Sequence, residues 1–115
     1  MSKLHSCAIT AVSGWVPNEK LTNDDLASMV DTSDEWITTR TGIKERRILR
    51  DAEKATAHMS SQSIKRLLKK RKIKASEIDL IICATVTPDM LFPSTAAIVI
   101  EEIGAENAFG FDLSA

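Results

Sequence analysis

The chain has no tyrosine, and aromatic residues make up only 4% of its 115 residues. A complete small domain commonly leans on more aromatic packing than this, so the composition suggests part of a larger core. Two cysteines, Cys7 and Cys83, are too few for the disulfide framework of a small secreted domain, and a reducing compartment is expected. The two histidines, His5 and His58, are far apart and form no zinc-ligand spacing. Four glycines, Gly14, Gly42, Gly104 and Gly110, form neither a dinucleotide-binding GxGxxG nor a Walker A loop. The longest unbroken apolar stretches are Leu80 to Ala84 and Ala96 to Ile100, far short of a membrane span. No sustained apolar region precedes Ser13, and Leu4-His5-Ser6-Cys7 lies too near Met1 to be a lipoprotein cleavage box. A cytoplasmic location is expected. The net charge of −1 carries no global basic field that would advertise nucleic acid.

What is present is ordinary globular material, 43% hydrophobic and 27% charged, without internal repeats. Cys7 to Val12 contains β-branched Ile9, Thr10 and Val12 and stops at Ser13-Gly14, which predicts a strand and a turn. Thr22 and Asn23 offer cap side chains to a short helix through Leu26, Met29 and Val30, ending near Asp31. Thr32-Ser33-Asp34-Glu35 matches a capping box led by Thr32, opening a helix through Trp36, Ile37 and Arg40 that Gly42 stops. Charged Lys44 to Glu53 reads as loop.

Thr56 opens the longest helical pattern, to about Lys72, with an apolar stripe of Ile64, Leu67 and Leu68. Ile78 to Val86 is too apolar to alternate and predicts a strand covered on both faces, broken by Pro88. Ser94 caps a further helix, Thr95 to Ile103, stopped by Gly104, and Ala108 to Leu113 is a last strand. Buried strands alternating with helices imply an α/β layered fold with a largely parallel sheet, whose chemistry sits at strand ends.

Several groups could carry function. Trp36 and Arg40 lie four apart on one helix and therefore share a face. A flat indole beside a guanidinium can hold a base and meet a phosphate, with Arg46 and Arg47 adding positive charge, which suits a nucleotide-containing ligand such as coenzyme A. On spacing alone, a partly buried Trp packed on an Arg stem is the preferred reading. Lys65 to Lys74 holds seven basic residues in ten. It fits docking of an acidic partner or a phosphate backbone, but a solvated helix face is the simpler reading, and no aromatic interleaves it. Cys83, and similarly Cys7, reads as an inert core thiol. Phe92-Pro93-Ser94 either lines a pocket or staples the following helix, and the staple is favoured.

Asp31-Thr32-Ser33-Asp34-Glu35-Trp36-Ile37-Thr38-Thr39-Arg40-Thr41-Gly42-Ile43 with Glu45-Arg46-Arg47 closely resembles β-ketoacyl-acyl-carrier-protein synthase III. Asp79 to Thr85, Phe92-Pro93-Ser94 and Phe111-Asp112-Leu113-Ser114-Ala115 match the same family in the same order. The first block is highly specific, and the later ones are shared more widely among thiolase-fold condensing enzymes.

The resemblance implies a homodimeric thiolase fold of two similar halves. Residues 1–115 would form the N-terminal portion of the first half, and the second half lies outside this chain. It implies an initiating step of type II fatty-acid synthesis. An active-site cysteine accepts an acetyl or other short acyl group from coenzyme A, and malonyl-acyl carrier protein decarboxylates and attacks the thioester. The products are 3-oxoacyl-acyl carrier protein, carbon dioxide and coenzyme A, and a histidine and an asparagine polarise the thioester carbonyl. Coenzyme A enters as the thioester substrate, with no resident cofactor, metal, membrane or nucleic-acid partner.

By the same resemblance, Trp36 stacks on adenine, Thr32 hydrogen-bonds near it and Arg40 lies beside the phosphates. Phe92 crosses the dimer interface to close the partner's acyl pocket, and Val86 occupies a pocket-lining position where other members carry different small residues. The nucleophilic cysteine of the family follows the Phe111 to Ala115 segment, so neither Cys7 nor Cys83 corresponds to it. The chain then holds part of the coenzyme A site and no catalytic residue. The alternatives are a related condensing enzyme of secondary metabolism and a non-catalytic interaction subunit. A nucleic-acid module led by Lys65 to Lys74 is a weaker one.

Overall fold

The computed structural model describes residues 6–51 and 55–114. His5, the start of the Leu4–Cys7 box, Glu53 and Ala115 lie outside the described residues. The chain divides into two compact units, one of Val16–Ala55 and one of Met1–Trp15 with Thr56–Ala115.

In the Val16–Ala55 unit, strand β1 (Lys20–Thr22) leads into helix α1 (Asn23–Ala27), followed by helix α2 (Asp34–Thr41) and strand β2 (Glu45–Arg47). β1 and β2 pair antiparallel, Leu21 opposite Arg46, and Lys20 reaches Glu45 at 2.8 Å across the ladder. The sequence predicts loop at β2, because Glu45-Arg46-Arg47 shows no apolar alternation. Its strand character comes from the partner that β1 supplies. Thr22 caps α1 reciprocally: its hydroxyl accepts from the Asp25 amide at 3.1 Å, and the Asp25 carboxylate accepts from the Thr22 amide at 2.8 Å. α1 ends at Ala27, short of the expected Asp31, with the Ser28 amide closing the last turn.

The cap of α2 is Ser33 and not Thr32. The Ser33 hydroxyl accepts from the Trp36 amide at 3.1 Å, so the third helical position is a tryptophan and the reciprocal arm of a capping box is absent. Gly42 ends α2 at φ 71°, a left-handed conformation that a side chain would strain.

In the other unit, helix α3 (Thr56–Arg71), a 3-10 turn at Ala75–Glu77, strand β3 (Leu80–Ala84), helix α4 (Thr95–Ile103) and strand β4 (Phe109–Leu113) follow in order. β3 and β4 are parallel and in register from Leu80 opposite Phe109 to Ala84 opposite Leu113, with α4 as the crossover. Ala57, Ile81, Ala96 and Val99 are the buried core, flanked by Ile64, Ile78, Cys83 and Ile100.

The predicted strand at Cys7–Val12 is not formed. A strand is defined by its ladder partner, and this segment instead meets α3, where Lys70 Nζ donates to the Val12 carbonyl at 3.5 Å. Ile81 and Cys83 face the helices, whereas Leu80, Ile82, Phe109, Phe111 and Leu113 line an exposed face. The run reads as unbroken because both faces carry apolar residues, and α3 and α4 cover one of them.

Carboxylates distant in sequence cap both long helices. Asp89 accepts from the Ala57 amide at 3.1 Å, and Asp112 accepts from the Thr95 and Ala96 amides at 2.7 and 2.8 Å. Burial pushes the Asp112 carboxyl up, but the amide hydrogen bonds from Ala96 and Thr95 outweigh it and hold it below 3.8. Asp112→Asn is expected to lower stability by about 2 kcal/mol at neutral pH, read from urea unfolding. Because the folded-state value is depressed, this contribution is complete well above 3.8 and disappears as pH falls through the folded-state value. A stability difference between the two proteins that stayed constant to pH 2 would contradict this account.

Candidate functional site

α2 presents its two faces to different surroundings. At 100° per residue, Asp34 and Thr38 lie on one side and Trp36 and Arg40 on the other. On the outward side the Arg40 guanidinium stacks over the Trp36 ring, its carbon 4.4 Å from the ring centre. This agrees with a partly buried Trp packed against an Arg. Trp36 is 53% exposed, with the Arg40 guanidinium over its ring.

Beside this pair is an open cavity of about 570 Å³, lined by Val30, Asp31, Thr32, Ser33 and Trp36. Its walls are the loop between α1 and α2 and the first turn of α2. Thr32, released from capping, is a wall residue with a hydroxyl available to a ligand. An indole and a hydroxyl lining one open cavity, with a guanidinium stacked on the indole, can take a flat aromatic ring bearing an anionic tail.

The inward side is polar. Asn23 is buried, and its Nδ2 donates to Asp34 Oδ1 at 2.7 Å, to the Ile43 carbonyl at 2.8 Å and more weakly to Thr38 Oγ1 at 3.3 Å. Its Oδ1 accepts from the Arg46 guanidinium at 2.6 Å. The hydrogen bonds from Asn23 and then Thr38 hold the Asp34 carboxyl below its ordinary value. Sequence reading took Asn23 for a cap. It missed the network, because these partners lie between eleven and twenty-three positions away.

Arg46 and Arg47 keep their charge but are engaged by neutral oxygens. Arg46 is held by Asn23, and Arg47 donates to the Pro17 and Asn18 carbonyls at 3.3 and 3.1 Å.

Val86 and Phe92 belong to the other unit, and both side chains are exposed, Phe92 to 88%. That exposure rules out Phe92 as a staple on α4. Cys83 is half-buried, and burial followed by the nearby Asp112 charge raises its thiol pKa, consistent with an inert residue. Cys7 is exposed, correcting the expectation that it is a core thiol. All seven basic residues between Lys65 and Lys74 are exposed, with Arg66 and Lys70 donating to the Gly14 and Val12 carbonyls. Among the described residues no group of three His, Cys, Asp or Glu could hold a metal ion, and no helix is long and apolar enough to cross a membrane.

No family model matches the chain. It is 61% identical over 108 residues to the β-ketoacyl-[acyl-carrier-protein] synthase III of Chlorobaculum tepidum, covering 94% of this chain and 33% of that protein. The crystal structure of 3-oxoacyl-[acyl-carrier-protein] synthase III from Aquifex aeolicus superposes with a TM-score of 0.84 at 48% identity, over 90% of this chain and 33% of its own. The priming β-ketosynthase of a polyketide pathway superposes with the same TM-score of 0.84 at 34% identity, over 90% of this chain and 31% of its own. The chain thus spans about a third of the length of the proteins it matches.

An α/β arrangement with a parallel pair crossed by a helix, matching these enzymes at such scores, is a portion of the thiolase-like condensing-enzyme fold. Within that class, the chain is similar to β-ketoacyl-acyl-carrier-protein synthases III, along a stretch equal to about one third of such a protein.

Proposed function

We propose that this chain provides the adenine end of the coenzyme A site in an initiating condensing enzyme of type II fatty-acid synthesis. The observation that carries the reading is the Trp36–Arg40 stack at the wall of the Thr32 cavity. Arg40 covers one face of the indole, and adenine takes the other. The guanidinium edge then faces the phosphates with its remaining donors, and Thr32 supplies a hydrogen bond to the base.

In this reading the protein transfers an acetyl or other short acyl group from coenzyme A to a cysteine. It then condenses that group with malonyl-acyl carrier protein, releasing carbon dioxide and coenzyme A. None of the residues that perform those steps is among residues 1–115. Coenzyme A is bound as substrate, and no resident cofactor takes part. The protein acts as a cytoplasmic homodimer, in which Phe92 closes the partner's acyl pocket and Val86 is an acyl-pocket residue. An apolar loop with Leu91 and Phe92 almost fully exposed supports a covering partner.

Titration calorimetry with coenzyme A and with pantetheine tests the reading. Coenzyme A is expected to bind at least tenfold more tightly, since the adenine and phosphates supply the contacts. Equal affinities would remove it.

A second reading is a starter-unit condensing enzyme of secondary metabolism, favoured by the equally close superposition on the priming β-ketosynthase. The higher sequence identities to the fatty-acid enzymes weigh against it. A screen of acyl-coenzyme A starters separates the two.

A further inference from the structure

We propose that Asn23 is a positioning residue for the ligand site, fixing the orientation of α2 from behind so that Trp36, with Arg40 stacked on it, faces the cavity. This rests on the coenzyme A reading above. α2 has a single buried residue, Ile37, so apolar packing gives it one anchor and little resistance to rotation about its axis. The remaining restraint is polar, and it converges on one side chain. Asn23 ties the first turn through Asp34, the second through Thr38, the segment after the Gly42 stop through the Ile43 carbonyl, and β2 through Arg46. The Asn23 amide adds a bond to the Lys44 carbonyl at 3.3 Å.

Two features make the residue type specific. Donor and acceptor are both used: the NH₂ group serves two short acceptors and the oxygen serves a guanidinium. The group is also 1% exposed, so water cannot replace a lost partner. Removing it frees the inward face of α2, and Trp36 and Arg40 on the outward face lose their fixed direction. A binding constellation depends on such support, since its geometry tolerates only small displacements.

The test compares the protein with Asn23→Ala, Asn23→Asp, Asn23→Asp combined with Asp34→Asn, and Trp36→Ala. All are made with Trp15→Phe so that Trp36 alone reports in the near ultraviolet. Coenzyme A affinity and the near-ultraviolet circular dichroism of Trp36 are measured for each. Asn23→Ala is expected to bind coenzyme A at least tenfold more weakly and to lose most of the Trp36 signal while far-ultraviolet dichroism is retained. Asn23→Asp is expected to be no better, because a carboxylate there meets Asp34 and the Ile43 carbonyl. Adding Asp34→Asn restores a donor across the 2.7 Å contact and should recover part of both readouts.

Wild-type affinity and signal in Asn23→Ala, alongside lost affinity in Trp36→Ala, would overturn the positioning role. Unchanged affinity in Trp36→Ala would instead remove the coenzyme A reading, and the Trp36 signal would still decide the positioning role. Should Asn23→Ala not fold, Thr38→Val decides: a several-fold loss of affinity with a reduced signal supports the role, and no change in either overturns it.

Discussion

Gly110→Val is expected to lower stability by about 3 kcal/mol, and Gly110→Ala by about 2 kcal/mol, in urea unfolding followed by far-ultraviolet dichroism. Gly110 sits opposite Ile81 in the parallel ladder, on the face that α4 covers. A Cβ there would come within 2.8 Å of the Ile81 carbonyl oxygen, 3.0 Å of Ile100 Cδ1 and 3.1 Å of Ala96 Cβ. The Ile100 tip can rotate away. The carbonyl belongs to the ladder, and the Ala96 methyl has no rotamer to change, so the strand or the helix must shift. A side chain also gains β propensity over glycine, but that gain is about 1 kcal/mol at most and the overlap outweighs it. A wild-type unfolding midpoint for Gly110→Ala would show that α4 does not approach β4 so closely.

The second large effect concerns the ligand. Trp36→Ala is expected to weaken coenzyme A binding about 30-fold, equivalent to about 2 kcal/mol, measured by calorimetry. It removes the stacking face and also the surface on which Arg40 rests. Arg40→Lys is expected to fall between the two, because an ammonium keeps the charge but can neither stack flat on the indole nor present a planar fork to phosphates. The unfolding midpoint of Trp36→Ala should stay near wild type, since its side chain is largely solvent-exposed. Undiminished affinity in Trp36→Ala would dissociate the aromatic face from ligand binding.

Local chemistry made much of this readable in advance. The cap of α4 at Ser94, the glycine stops at Gly42 and Gly104 and the strand at Phe109–Leu113 follow from side-chain hydrogen bonding, backbone freedom and composition within a few residues. The shared face of Trp36 and Arg40 follows from helical periodicity, and the block from Asp31 to Arg47 carried the family resemblance. What the sequence by itself determined is therefore the set of elements whose causes are local, and the identity of the outward face of α2.

The tertiary structure decided what depends on a distant partner. Glu45–Arg47 is a strand because Lys20–Thr22 pairs with it, and Cys7–Val12 is not one because no ladder partner meets it among the described residues. Ser33 rather than Thr32 caps α2 because its extended backbone aims its hydroxyl at the Trp36 amide, and Thr32 lines the cavity. The role of Asn23 and the assignment of Arg46 to that network were hidden for the same reason. A buried amide acquires its meaning from the donors and acceptors that folding brings around it, and periodicity carries no record of those.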